Sequence, residues 1–128
     1  MNKLFLIRHG KTNYSEEHLY CGKSDVPLCQ KGIEELKQKK SLNLYPALND
    51  DMKLCCSSLL RTRQTLEIIY PNMPYSVFEG FNEINFGIFE GHSYNDLKDS
   101  PQYQTWISGN NFLNVCPNGE SFYLEKNI

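Results

Sequence analysis

The feature that most constrains the fold is a run of four apolar residues, Leu4 to Ile7, which passes directly into the polar sequence RHG. A short continuous apolar run that ends abruptly at polar residues and a glycine is typical of a strand buried on both faces of a parallel sheet. Ligands of such sheets bind at the carboxyl ends of the strands, where loops surround a crevice. We therefore predict a first strand over residues 3–7, with Arg8 and His9 beside a binding site.

Strands and helices are expected to alternate along the rest of the chain. The pattern predicts a helix in QKGIEELKQKK, a second strand in DMKLCCSS, and a further helix after that strand. Either Ser57 or Ser58 is expected to cap this helix, and Pro71 to end it. A third strand is expected over residues 75–78. These elements predict an α/β fold with a mainly parallel sheet flanked by helices.

Composition limits the size and the kind of protein. The chain has 128 residues, a net charge of -2 and 40% hydrophobic residues, so residues 1–128 are expected to form one domain with a core. This charge gives no reason to expect a nucleic acid or a membrane as partner. Five cysteines without a CxxC pair favour neither a disulfide framework nor a zinc site. We expect a cytoplasmic protein without metal or cofactor, and its oligomeric state stays open.

Five segments, in this order, resemble the histidine phosphatase superfamily, also called phosphoglycerate mutase-like proteins. They are LIRHGKT, YCGKSDVPLCQKG, CSSLLRTRQT, NEINFGIFEG and PNGES. The resemblance implies the three-layer α/β fold of that superfamily. It also implies hydrolysis of phosphomonoesters through a phosphohistidine, with a small phosphorylated molecule as the partner.

The chemistry of phosphoryl transfer explains why such residues would be gathered. A neutral imidazole can attack phosphorus, and permanently charged guanidinium groups suit the oxygens of the phosphoryl group. By resemblance, His9 is the nucleophile, while Arg8 and Arg61 bind the phosphate. Without the resemblance, Arg8 and His9 would be interpreted as a solvated strand end, and Arg61 as a surface arginine on a helix.

A further group must move protons, because an alkoxide leaves a phosphate ester poorly until it is protonated. By resemblance, Glu83 is this acid and base, although a loop glutamate is otherwise usually a solvated charge. The resemblance also places Ser15, Cys21 and Gly22 near the phosphate. Ser15 stands where the family has an asparagine, and Cys21 and Gly22 lie where a loop brings backbone donors toward the phosphate.

The second half of the NEINFGIFEG segment is expected to be structural. Glu90 is interpreted as a structural residue, and Gly87 and Gly91 are expected to shape the loop, because glycine adopts positive φ without a steric cost.

A second catalytic histidine, which the family places well beyond the PxGES motif, has no counterpart in the chain. His18 and His92 do not follow a strand or precede a glycine in the family's manner. We therefore expect an N-terminal portion of the fold, with the C-terminal part missing and with doubtful activity. The missing strand is expected beside the first strand, so its loss would expose apolar side chains.

The segment YCGKSDVPL most closely resembles the α-ribazole phosphatases of cobalamin biosynthesis, with related broad phosphatases and fructose-2,6-bisphosphatase-like proteins close behind. The resemblance suggests α-ribazole 5'-phosphate as a substrate. Phosphoglycerate mutase activity is less favoured, because Ile84 follows Glu83 where mutases have a basic residue. A catalytically inactive module that binds a phosphorylated ligand or a partner remains the other alternative, because the second histidine is missing.

Overall fold

The computed structural model of the chain describes residues 2–110 and 112–125. It is a mixed α/β structure in which helices accompany a short parallel sheet. The helices and strands, in chain order, are α1 (Asn13–Glu16), α2 (Gln30–Ser41), β1 (Cys55–Cys56), α3 (Leu60–Ile69), β2 (Ser76–Val77), α4 (Tyr94–Leu97), α5 (Pro101–Ile107) and α6 (Phe122–Glu125). Short 3₁₀ helices lie at Glu79–Phe81 and Gly87–Phe89. Within the described ranges, no helix is long and apolar enough to cross a membrane.

The sheet pairs β1 with β2 in parallel, with Cys55 opposite Ser76 and Cys56 opposite Val77. Helix α3 connects the two strands, as a parallel pair requires a crossover connection. The predicted second and third strands and the helix between them are therefore confirmed, although each hydrogen-bonded strand is only two residues long.

The predicted first strand over residues 3–7 is wrong for this structure, in which residues 2–10 form no strand. A strand needs a neighbour for its ladder of hydrogen bonds, and here a groove of about 1400 Å³ separates this segment from β1. Leu4 and Leu6 are 84% and 88% exposed. The segment is thus apolar without being buried, and the exposure of apolar side chains that the sequence led us to expect is present.

Helices α2 and α3 pack against each other over Leu28, Leu36 and Ile69, which are buried. The first turn of α2 lies directly on the loop that follows His9, and a Cβ atom at Gly32 would collide with the carbonyl oxygen of Lys11. Although glycine weakens a helical turn, it is needed here because it lets the helix approach this backbone.

Either Ser57 or Ser58 was predicted to cap α3, and neither is its N-cap. The N-cap residue is Leu59, which offers no side-chain hydrogen bond. The hydroxyl of Ser57 instead bonds to the hydroxyl of Thr62 at 2.7 Å and also accepts from the N–H of Leu59 at 3.3 Å. Ser58 donates to the side chain of Asn82. Both serines therefore tie the start of α3 to its surroundings.

An aromatic cluster forms the second core. Its buried members are Phe89, Leu97, Tyr103, Trp106 and Cys116, and Tyr20 and Phe86 pack against them. The hydroxyl groups of Tyr20 and Tyr103 are 2.7 Å apart and share a hydrogen bond. The cluster therefore joins the loop after α1 to the loop that carries the predicted acid.

Candidate functional site

His9 is half-buried, and its Nδ1 lies 2.7 Å from the carbonyl oxygen of Gly10. Because a carbonyl oxygen only accepts, Nδ1 of the neutral ring carries the proton and Nε2 keeps its lone pair. Burial lowers the pKa of His9 from its ordinary 6.5, the Gly10 carbonyl and Glu83 oppose this, and the charges of Arg61 and Arg8 add to it. At neutral pH the ring is therefore uncharged and nucleophilic at Nε2.

The backbone after His9 is held by α3. The N–H of Gly10 donates to the hydroxyl of Thr65 at 3.0 Å, and this hydroxyl donates to the carbonyl oxygen of Arg61 at 2.7 Å. Thr65 is 4% exposed. It therefore fixes the loop of His9 to the helix that carries Arg61, a role that the sequence interpretation missed. Its only signal was its position one helical turn after Arg61.

Arg61 points inward from α3 and is 1% exposed, so it is not a surface arginine. Its Nη1 donates to the carbonyl oxygen of Ser24 at 2.9 Å, and its Nη2 donates to that of Gly22 at 2.8 Å. A guanidinium has five N–H donors, and among the described residues the buried Nε has no hydrogen-bond partner. Arg61 thus holds a turn, and its contact with a phosphate stays a prediction. Arg8 is exposed, and its charge acts on His9.

Glu83 is exposed and lines the same groove as His9. The residues before and after Glu83 are both anchored, and they fix the position of its backbone in the structure. Asn82 accepts hydrogen bonds from the N–H and the hydroxyl of Ser58, and Ile84 is 1% exposed. The structure therefore brings the predicted nucleophile and the predicted acid to one groove, although they are far apart in sequence.

The groups of Ser15 and Gly22 that were predicted to contact phosphate already make hydrogen bonds within the protein. The hydroxyl of Ser15 accepts from the N–H of Thr12 at 2.8 Å and donates to its carbonyl oxygen at 2.9 Å, as part of a capping box. The N–H of Gly22 donates to the carboxylate of Glu90. In this structure neither group is free for a phosphate, and both contacts stay predictions.

Cys21 precedes this turn and is half-buried, with its Sγ 3.9 Å from the carbonyl oxygen of Ser24. Burial raises the pKa of the Cys21 thiol, while Arg61 acts in the opposite direction. The thiol is therefore protonated at neutral pH, which favours a small loop residue over a nucleophile.

The loop around Glu90 has the shape that its glycines predicted. Gly87 and Gly91 have φ of +56° and +74°, values in the left-handed region that favours glycine. Glu90 itself binds backbone N–H groups of two loops, which confirms its interpretation as a structural residue.

The groups that line the groove of His9 and Glu83 were compared with the ligand clusters that hold metal ions. In residues 2–110 and 112–125, no three side chains of histidine, cysteine, aspartate or glutamate are gathered so that they could hold a metal. The groove instead combines an imidazole and a carboxylate, with two arginines acting on the imidazole.

Comparison with known proteins identifies the class. Residues 4–124 match the profile of the histidine phosphatase superfamily (branch 1). Since this match spans most of the chain, the protein belongs to the histidine phosphatase superfamily, and the resemblance noted from its motifs is confirmed.

Two relatives and two solved structures illustrate the similarity. The chain is 31% identical over 125 residues to the adenosylcobalamin/alpha-ribazole phosphatase of Salmonella typhimurium, covering 94% of this chain and 59% of that protein. Phosphoglycerate mutase 2 of Saccharomyces cerevisiae is 31% identical over 111 residues, covering 80% of this chain and 36% of the mutase.

The crystal structure of a proposed alpha-ribazole-5'-P phosphatase from Escherichia coli superimposes with a TM-score of 0.80 at 26% identity, covering 94% of this chain and 60% of that one. A phosphoglycerate mutase from Thermus thermophilus gives 0.69 at 28% identity, covering 94% and 64%. The phosphoglycerate mutase-like fold is thereby confirmed. The chain spans about 59% of the curated phosphatase relatives that it matches.

Proposed function

We propose that the protein hydrolyses a small phosphomonoester through phosphorylation of His9. The observation that carries this proposal is the state of His9. Its Nδ1 is occupied by the carbonyl of Gly10, its pKa is lowered by burial, and it shares a groove with Glu83. A neutral ring with Nε2 free is the form in which histidine attacks phosphorus.

In the first step, Nε2 of His9 bonds to phosphorus while the bond from phosphorus to the ester oxygen breaks. The leaving oxygen takes a proton from the carboxyl group of Glu83, and the arginines stabilise the charge on the phosphoryl oxygens. The Gly10 carbonyl holds the ring while it becomes cationic. In the second step, water attacks the phosphohistidine, Glu83 takes its proton, and phosphate and neutral His9 are released.

An α-ribazole 5'-phosphate type of substrate is supported by the names of the relatives and by the YCGKSDVPL segment. A mutase is the weaker candidate, because Ile84 is buried directly after Glu83 and places no positive charge there. Direct assay of α-ribazole 5'-phosphate against phosphoglycerates distinguishes the two substrates. Preference for a phosphoglycerate would reject this assignment.

A module that binds phosphate without turnover is the second candidate. It is favoured by the exposed segment before His9, which leaves the nucleophile on a poorly packed part of the described chain. The two candidates differ in one chemical event, because only the enzyme forms a covalent bond between phosphorus and His9.

The test is to incubate the chain with a radiolabelled aryl phosphate and to look for acid-labile label. We expect label on the wild type, none on His9→Ala, and normal label on His92→Ala, which removes an exposed histidine as a matched control. Phosphate binding without label would favour the module. Label that persists in His9→Ala would reject the mechanism.

The role of Glu83 is tested by the leaving group. Glu83→Gln should slow labelling from an alkyl phosphate by about 100-fold and from an aryl phosphate much less, since an aryl oxygen needs little protonation. Arg61→Ala should weaken both substrates. Glu79→Gln, at an exposed glutamate in the same stretch, is the control and should change neither. Equal losses on the two substrates for Glu83→Gln would remove the case for an acid.

A further inference from the structure

The carboxylate of Glu90 joins two loops that border the candidate site. It accepts from the N–H of Gly22 at 3.0 and 3.1 Å, from that of Lys23 at 2.8 Å, and from that of Phe86 at 3.1 Å. Two of these donors belong to the turn of residues 22–24, and the third belongs to the loop that follows Glu83. A charged acceptor makes stronger hydrogen bonds than a neutral one. Glu90 is thus a charged link between two separate loops.

The same turn is held on its opposite side by a positive charge. Arg61 donates to the carbonyl oxygens of Gly22 and Ser24, while Glu90 accepts from the N–H groups of Gly22 and Lys23. The peptide groups of the turn therefore lie between a cation at their oxygens and an anion at their N–H groups. The positive charge of Arg61 lies at the negative, carbonyl end of these peptide dipoles, and the negative charge of Glu90 lies at the positive, N–H end. Loss of either charge therefore removes the hydrogen bonds on one side of the turn.

The turn also sits close to the predicted acid. A Cβ atom at Gly22 would overlap the carbonyl oxygen of Ile84, the residue that follows Glu83. The backbone of the turn is therefore in direct contact with the backbone beside the acid. The turn thus contacts both the guanidinium of Arg61 and the backbone next to Glu83.

We infer that Glu90 is a positioning residue for the proposed phosphoryl transfer, because it fixes the turn that sets the guanidinium of Arg61 relative to Glu83. This inference rests on the proposed function. In this inference Glu90 acts through the backbone of residues 22–24 and takes no part in the chemical step itself.

The variants separate its charge from its shape. Glu90→Ala removes every bond of the carboxylate, and we expect the rate of His9 labelling to fall about 100-fold, the loss typical of misplaced catalytic groups. Glu90→Gln keeps the shape and one acceptor oxygen, so a fall of about 10-fold is expected on the same argument. Circular dichroism of each variant gives the folded fraction by which its rate is corrected.

Glu120→Gln is the matched control. The carboxylate of Glu120 accepts from the N–H of Asn85 at 2.8 Å, so it supports the same loop after Glu83. No hydrogen bond from Glu120 to the turn of residues 22–24 is found in the described residues. We expect its labelling rate to stay within about twofold of the wild type, since it leaves the catalytic geometry in place.

A double-mutant cycle with Arg61→Ala separates positioning from general support of the fold. If Glu90 acts through Arg61, adding Glu90→Ala to Arg61→Ala costs much less than Glu90→Ala costs alone, because coupled residues are not additive. Additive losses, or equal rates for Glu90→Gln and Glu120→Gln, would overturn the inference. Absence of label on the wild type would instead reject the proposed function, and the inference with it.

Discussion

The segment of residues 4–7 and the aromatic cluster around Phe89 are both apolar, yet the segment is exposed and the cluster is buried. Leu6 is 88% exposed, whereas Phe89 is 0% exposed. The cluster is closed by residues of one stretch of chain together with Tyr20, while the segment faces a groove. Hydrophobicity therefore indicates which residues gain free energy from burial. Whether they are buried depends on which other residues pack around them.

The two predicted catalytic residues belong to different regions of this comparison. Glu83 stands on a loop whose later part belongs to the aromatic cluster, and His9 follows the exposed segment. An apolar side chain left in water forgoes about 1.5–3 kcal/mol, and several of them together approach the about 5–15 kcal/mol that stabilises a typical domain. The predicted nucleophile, His9, thus follows the less well packed of the two regions.

The largest effect is expected for the chain itself. We predict that residues 1–128 alone are only marginally stable, so that they unfold well below about 55 °C on heating. We also expect them to aggregate in a concentration-dependent way, because residues 4–7 face the groove and are exposed to water. Circular dichroism and light scattering on heating measure this. A sharp, cooperative transition above about 55 °C, in the usual range of stable domains, would show that the exposed segment does not weaken the fold.

Alanine substitution of one phenylalanine in each region measures the difference in packing directly. Phe89→Ala should lower the free energy of unfolding by about 3–5 kcal/mol, since it leaves a cavity in a packed core. Phe5→Ala, at a position that is 47% exposed, should cost less than about 1 kcal/mol on the same basis. Urea unfolding followed by circular dichroism gives both values. Equal costs would show that the segment is as well packed as the cluster.

The attachment of the His9 loop to α3 has an intermediate effect. Thr65→Val should destabilise the fold by about 1–3 kcal/mol, because it leaves the partly buried N–H of Gly10 without its acceptor. Labelling of His9 should also slow. Thr105→Val, at an exposed position of α5 whose hydroxyl donates to the carbonyl oxygen of Pro101 in the same helix, should stay within about 0.5 kcal/mol. Similar losses for both variants would mean that Thr65 does not support the site.

The smallest effect concerns pH. Because the pKa of His9 is lowered from 6.5, labelling should rise with pH and reach half its maximum below pH 6.5. Arg8→Gln removes a charge that lowers this pKa, so the midpoint should move upward.

His9 also affects folding stability, with a defined sign. Above pH 6.5 the ring is neutral in both states, and below it the unfolded chain takes up the proton first, so stability falls until the folded pKa is reached. A labelling midpoint above pH 6.5 would contradict the burial of His9.

Local pattern was sufficient to predict α2, α3 and the two paired strands. It failed for residues 3–7, because a strand is completed by hydrogen bonds to another part of the chain. It failed for the caps of α3, because the hydroxyls of Ser57 and Ser58 bond to Thr62 and Asn82 instead. These partners are set by packing and not by spacing.

For the site, the motifs predicted His9, Arg61 and Glu83 through their resemblance to a family, and their roles stay predictions. The sequence did not reveal what holds them, because the supporting bonds join distant positions. Glu90 bonds to Gly22 across 68 residues, and Thr65 bonds to Gly10 across 55 residues. Nothing in the local sequence of either residue indicates such a partner.

The free cysteines give the chain its own chemical probes. Cys55 is exposed on β1, whereas Cys116 is 0% exposed inside the aromatic cluster, where burial raises the pKa of its thiol to about 11. A thiol reagent therefore meets Cys55 at once and Cys116 only after the cluster opens. The order in which the two become labelled would time the opening of the cluster without any engineered tag.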